Sequence, residues 1–92
     1  DWARELVKMN QLKHSLDQWR RYKGSVLGEN LAYFIGPVLK GDKITDMWYR
    51  EMKRHDFSGD LQENSLHFSQ LVWKSTREVG FGRCQTQDKK YW

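Results

Sequence analysis

The chain has one cysteine and one proline in 92 residues. A single thiol makes no internal disulfide, and a four-cysteine zinc site is excluded with it. One proline and seven glycines leave no long linker. No apolar run approaches the ~18 residues of a membrane span. Repeats and low-complexity segments are absent as well. HExxH, Walker A, GxSxG and CxxC patterns do not occur. Charge of one sign is not in great excess: 16 Lys and Arg stand against 12 Asp and Glu, for a net +4. The basic residues fall in short groups, Arg20-Arg21-Tyr22-Lys23, Lys53-Arg54 and Lys89-Lys90, with acids among them. A nucleic-acid binder would more often concentrate them, so no nucleic-acid partner is expected.

Aromatic residues are plentiful. They make up 14% of the chain, with five Trp, although mean hydropathy is only −0.91. Disordered chains are poor in such residues, so this one is expected to fold. Its length allows one small domain. The opening Asp1-Trp2-Ala3-Arg4-Glu5-Leu6 reads as the middle of a helix, and Lys89-Lys90-Tyr91-Trp92 as a strand just starting. The expectation is a partial domain over residues 1–92, truncated at both ends.

Trp2, Leu6, Met9, Leu12, Leu16 and Trp19 recur at steps of three and four, predicting a helix within 2–19 that weakens after Asn10 and ends near His14. Residues 20–30 read as a loop. The apolar run Leu31–Ile35, closed by Gly36-Pro37, fits a buried strand or one helical turn. A second helix is predicted over 43–54, capped by Asp42, with Ile44, Met47, Trp48 and Met52 as its apolar face. Residues 56–65 form a polar loop. A short helix follows within 66–73, then a strand over 79–84 and a turn at 87–89. The order predicts a mixed α/β domain with an antiparallel sheet.

Several polar residues occupy informative positions. Glu51 lies on the apolar stripe of the second helix, either as a boundary carboxylate with a solvated head or as a cleft carboxylate with a basic partner. His14 fits a helix C-terminal cap, and His67, between Leu66 and Phe68, fits a satisfied core histidine. Either could equally line a cleft. His55 reads as a surface i,i+4 partner of Glu51. Glu29 sits in the tight turn Gly28-Glu29-Asn30. Cys84 has no base beside it and reads as a strand cysteine.

Three segments carry a resemblance. His67-Phe68-Ser69-Gln70-Leu71-Val72-Trp73, Gly28-Glu29-Asn30-Leu31-Ala32 and Met47-Trp48-Tyr49-Arg50-Glu51 resemble, in the same order, signature segments of the CAP superfamily. This is the family of cysteine-rich secretory proteins, antigen 5 and plant pathogenesis-related 1 proteins (the SCP domain). Lys13-His14-Ser15 fits the end of the family's first helix, before them, and Val79-Gly80-Phe81-Gly82 the strand after them.

The resemblance implies an α-β-α sandwich with a central antiparallel sheet. It implies a cleft tetrad of His14, Glu29, Glu51 and His67, with His14 and His67 as ligands of a divalent metal such as Zn2+. It implies a non-enzymatic binding protein that engages lipid or an anionic membrane surface. The alternatives are a metal-assisted, protease-like hydrolase using the same cleft, or a dimerising structural or signalling module with a second copy or a protein ligand as partner. The single cysteine is nearest the Golgi-associated, membrane-associated branch of the family; the other placement is secretion. A loop over 56–65 with only Phe57 and Leu61 weakens a sterol-specific reading.

Overall fold

The computed structural model describes residues 1–59 and 61–92. Asp60, in the loop expected over 56–65, lies outside them. The chain is a mixed α/β fold of short helices and a small antiparallel sheet, the class expected from the sequence. It forms two compact units, residues 1–39 with 79–92, and residues 40–78.

In the first unit, α1 spans Trp2–Met9. Asp1 is its cap, its carboxylate accepting from Arg4 N–H at 3.0 Å, so Asp1 precedes the helix rather than lying in its middle. The helix stops at Met9, short of the expected His14. Asn10 adopts the left-handed conformation (φ 51°), which Asn tolerates and which ends a helix, and its N–H returns to the last turn. The apolar spacing continues past this point because the chain folds back. Trp2 donates to the Lys13 carbonyl at 2.9 Å, and its ring meets Trp19 edge-on with centroids 5.2 Å apart.

A 3-10 turn at Asp17–Trp19 leads into β1 (Arg21–Tyr22) and β2 (Ser25–Val26), with Arg21 opposite Val26 and Tyr22 opposite Ser25. This hairpin lies where the sequence reads as a loop. Its signal is Lys23-Gly24: both have positive φ (49° and 83°), the two-residue turn that matches strand twist, and Gly adopts it without steric cost.

The run 31–35 is not a helical turn; its end pairs as a strand, but Tyr33 and Ile35 are exposed rather than buried. Phe34 exchanges both backbone bonds with Trp92, and Ile35 bridges Tyr91 in antiparallel fashion. The turn at 87–89 forms as expected. Asp88 accepts from Thr86 Oγ1 and Lys90 N–H, and these bonds hold its carboxyl below the usual range. The strand expected over 79–84 does not form. Alternation is present, but no backbone bond from these residues reaches another segment among the described residues, and a strand exists only as part of a ladder.

In the second unit, α2 spans Gly41–Arg50 and tightens into a 3-10 turn at Glu51–Arg54. It starts two residues earlier than expected. Asp42 is therefore not the cap but an acid in the first turn, where it complements the helix dipole. A 3-10 turn at Glu63–Ser65 precedes α3, Leu66–Leu71. Between them, Asp56 accepts from Ser58 N–H and Oγ, and these bonds hold its carboxyl below the usual range.

The core of this unit is Phe68, 4% exposed, ringed by Tyr49, His55 and Phe57 at 5.2–6.0 Å. Ile44 and Trp48 are half-buried, whereas Met47 and Met52, expected on the apolar face, are exposed. A stripe of period 3.6 places 44, 48, 51 and 55 on one side, and 47 falls off its edge. Phe68→Ala should cost about 3 kcal/mol in denaturant titrations, because it removes the ring on which three others converge.

Candidate functional site

Four residues carry the candidate site, and the structure arranges them as two histidine–carboxylate pairs, one in each unit. In the first unit, His14 Nδ1 lies 2.8 Å from Glu29 Oε1. The same carboxylate accepts from the Ser15 N–H at 3.0 Å, Ser15 Oγ at 2.7 Å and Arg20 Nη1 at 3.2 Å. Arg20 also reaches Asp17 Oδ1 at 2.8 Å. Burial pushes the Glu29 carboxyl up, but the bonds from Ser15, His14 and Arg20 outweigh it and hold the group below its ordinary value. Glu29 is thus an acceptor, and His14 Nδ1 carries the proton of the bond between them. Asn10 ends α1, so His14 lies beyond the helix, where its ring meets Glu29.

In the second unit, His67 Nδ1 lies 2.8 Å from Glu51 Oε2, and Glu51 Oε1 accepts from the Phe68 N–H at 3.1 Å. Glu51 is at the start of the 3-10 turn after α2, and His67 is the second residue of α3. Trp48, one turn before Glu51, lies flat against the His67 ring, with centroids 5.9 Å apart and planes 9° from parallel. Its buried Nε1–H has no partner among the described residues.

The two pairs share one construction. A carboxylate takes the imidazole Nδ1 and also the backbone N–H of the very next residue. Both carboxylates are shielded, Glu29 at 16% and Glu51 at 11% exposure, while His14 at 59% and His67 at 40% stay open to solvent. Each ring is oriented from behind and presented in front. The cap reading of His14 and the core reading of His67 therefore give way to the presented one.

Holding an imidazole by a carboxylate at one nitrogen is also how metal-binding histidines are oriented. Imidazole nitrogen is a donor type that Zn2+ takes. No group of three or more His, Cys, Asp or Glu suited to a metal ion occurs among the described residues.

His55 is structural, but not as a surface partner of Glu51. It is half-buried, bonds Ser65 Oγ at 2.8 Å and stacks edge-on with Phe57. Ser65 is fully buried, so this histidine–hydroxyl pair faces the interior. Cys84 Sγ donates to the Gln85 carbonyl at 3.9 Å. Ser15, Arg20 and Trp48 are the site residues that the sequence reading missed. Ser15 adjoins His14, and Trp48 lies three before Glu51; these spacings were the available signals.

Two outcomes follow from this geometry. Glu29 has a lowered folded-state value, so its stabilisation is complete above the ordinary carboxylate range and is lost as pH falls through the folded value. Glu29→Gln should lower stability at neutral pH by on the order of 2 kcal/mol and flatten the acid limb of the stability curve, read by urea titration at a series of pH values. Trp48→Phe should change stability by less than about 1 kcal/mol, since the lost contact is offset by removing a buried, unpaired donor; thermal melting checks it.

With this geometry in hand, comparison with known proteins places the chain. The family model described as CAP, the cysteine-rich secretory protein family, matches residues 1–92. The chain is 31% identical over 88 residues to the human "Golgi-associated plant pathogenesis-related protein 1", covering 95% of this chain and 54% of that protein. It is 31% identical over 94 residues to "Pathogenesis-related protein 1C" of Nicotiana tabacum, covering 99% and 51%. It is 30% identical over 92 residues to "Venom allergen 5" of Vespula flavopilosa, covering 92% and 45%. The chain thus spans about half the length of these relatives. No solved structure matches at comparable significance. The two presented histidines fall in the segments that carry the resemblance, the family model covers the chain from end to end, and the chain belongs to the CAP family.

Proposed function

We propose that this domain is a non-enzymatic binding module whose ligands are lipid or an anionic membrane surface, with Zn2+ as an auxiliary ion on His14 and His67. The observation that carries the binding reading is the shared construction of the two pairs. Each fixes an imidazole and leaves it open to solvent, which is a geometry for contact. Ser15 Oγ, beside His14, donates to Glu29, and Ser69, two residues after His67, is buried. That counts against a serine nucleophile beside either ring.

Lipid as the ligand is supported by large apolar side chains left open in the first unit, among them Ile35, Val79 and Phe81. The family's description as secretory supports the secreted placement over the Golgi-associated one.

A second reading is a metal-assisted hydrolase, favoured by the same pairs, because a carboxylate at Nδ1 also orients an imidazole for general acid–base work. When bound, Zn2+ would supply Lewis-acid chemistry. His14 and His67 would hold it, and Glu29 and Glu51 would keep their rings oriented.

Changing His14 and His67 together to Ala should abolish zinc uptake in calorimetry and leave vesicle co-sedimentation within about twofold of the parent. Loss of both signals would show that metal and lipid share one site and overturn the auxiliary-ion reading. Metal-dependent peptide or ester hydrolysis abolished in that variant would favour the hydrolase.

A further inference from the structure

We infer that the outer face of α2 and the following 3-10 turn is the surface on which an anionic bilayer docks. The inference rests on the lipid-surface reading above and names the face that carries it.

The helix has two sides. Ile44, Trp48 and Glu51 turn inward, toward α3: Trp48 stacks on His67, and Glu51 bonds His67 and Phe68. Lys43, Met47, Arg50, Lys53 and Arg54 recur at steps of three and four on the other side, and all are exposed. With Asp46 they line an open groove of about 550 Å³. The stripe runs about 17 Å along the axis. It holds four cations against one carboxylate, in a chain whose whole excess is +4. Asp46 is engaged by Arg50 Nε at 2.8 Å, which leaves Lys43, Lys53 and Arg54 as the cations that no carboxylate of this groove engages.

Two features of the stripe match a bilayer in particular. Cations close to an anionic leaflet are attracted within a Debye length. Met47, more than half exposed at 52%, stands in the middle of them. A flexible, unbranched apolar side chain flanked by lysine and arginine suits the boundary between headgroups and acyl chains, where long cationic stems extend to the phosphates. A nucleic acid would use the same cations and gain nothing from the methionine. An acidic protein segment could use both, and the vesicle probe separates it.

The test is co-sedimentation of the full chain with phosphatidylcholine vesicles made with and without phosphatidylserine. Lys53→Gln with Arg54→Gln should weaken binding to the phosphatidylserine vesicles about 30-fold. Lys89→Gln with Lys90→Gln removes the same charge from the other unit and should change it by less than about threefold. Met47→Ser should weaken it several-fold, and added salt should weaken it steeply. Both double variants alter exposed side chains only, and circular dichroism checks their folding. If the parent binds and the two double variants lose affinity equally, this face is not the docking surface, while the lipid reading stands. If the parent binds neither vesicle, both fall. Binding to an oligonucleotide or an acidic peptide that exceeds binding to vesicles and ignores Met47→Ser would overturn the bilayer as occupant.

Discussion

A carboxylate withdrawn from water must be met by donors, and in this chain that requirement organises both units. Glu29 and Glu51 each meet it in the same way, through an imidazole and the peptide N–H that follows it. Two donors on consecutive residues, closed on one acceptor group, fix backbone and ring together. The grip also closes a loop. Residues 15–28, hairpin included, are tied off by the first pair, and residues 52–66 by the second. Such closures matter where the apolar core is small. Phe68 is the one large apolar side chain that is fully shielded among the described residues. The conformational entropy of the loops therefore has to be met largely by polar bonds that are well desolvated.

The two grips differ in what surrounds them. Glu29 sits among a guanidinium, a hydroxyl and a backbone donor, which favour its charge. Glu51 has fewer donors, and its histidine is backed by an indole face instead. An aromatic plane constrains tilt without taking up a ring nitrogen. His14 thus joins an electrostatic network, whereas the contacts of His67 include a carboxylate and a flat indole face. The buried, unpaired Nε1–H of Trp48 has an energetic cost, and the flat contact on His67 is what the indole supplies in return.

Much of the site could be read from residue types and order. His14, Glu29, Glu51 and His67 were all named, and of the two readings left open for Glu51 the one with a basic partner finds it in His67. The pairing itself was not legible, because Glu29 and His14 are joined by a fold-back that begins with the conformation of Asn10. Periodicity carried the first helix too far for the same reason: Trp2 and Trp19 do meet, but across a turn rather than along one helix. The Lys23-Gly24 hairpin was hidden in a polar stretch whose strands are two residues each, too short for alternation to register. The strand over 79–84 failed in the opposite sense. Its pattern is there, but a pattern supplies only one edge of a ladder.

Helix α2 shows how little sequence these constraints leave over. An inward stripe of 44, 48 and 51 is committed to α3, and 55 continues it onto Phe57 and Phe68. At about 100° per residue the neighbouring positions 43, 47, 50 and 54 form a second stripe whose side chains are all exposed. Stability alone asks only that such a stripe be polar. It would be met as well by mixed charge, with the acids in the first turn and the bases in the last that a helix dipole favours. The last turn follows that rule with Arg50, but Lys43 in the first turn opposes it, and Met47 is not polar at all. Both departures add to the cationic, partly apolar character of the exposed stripe. Helix stability does not account for them; docking on an anionic, partly apolar surface, as proposed for this face, would.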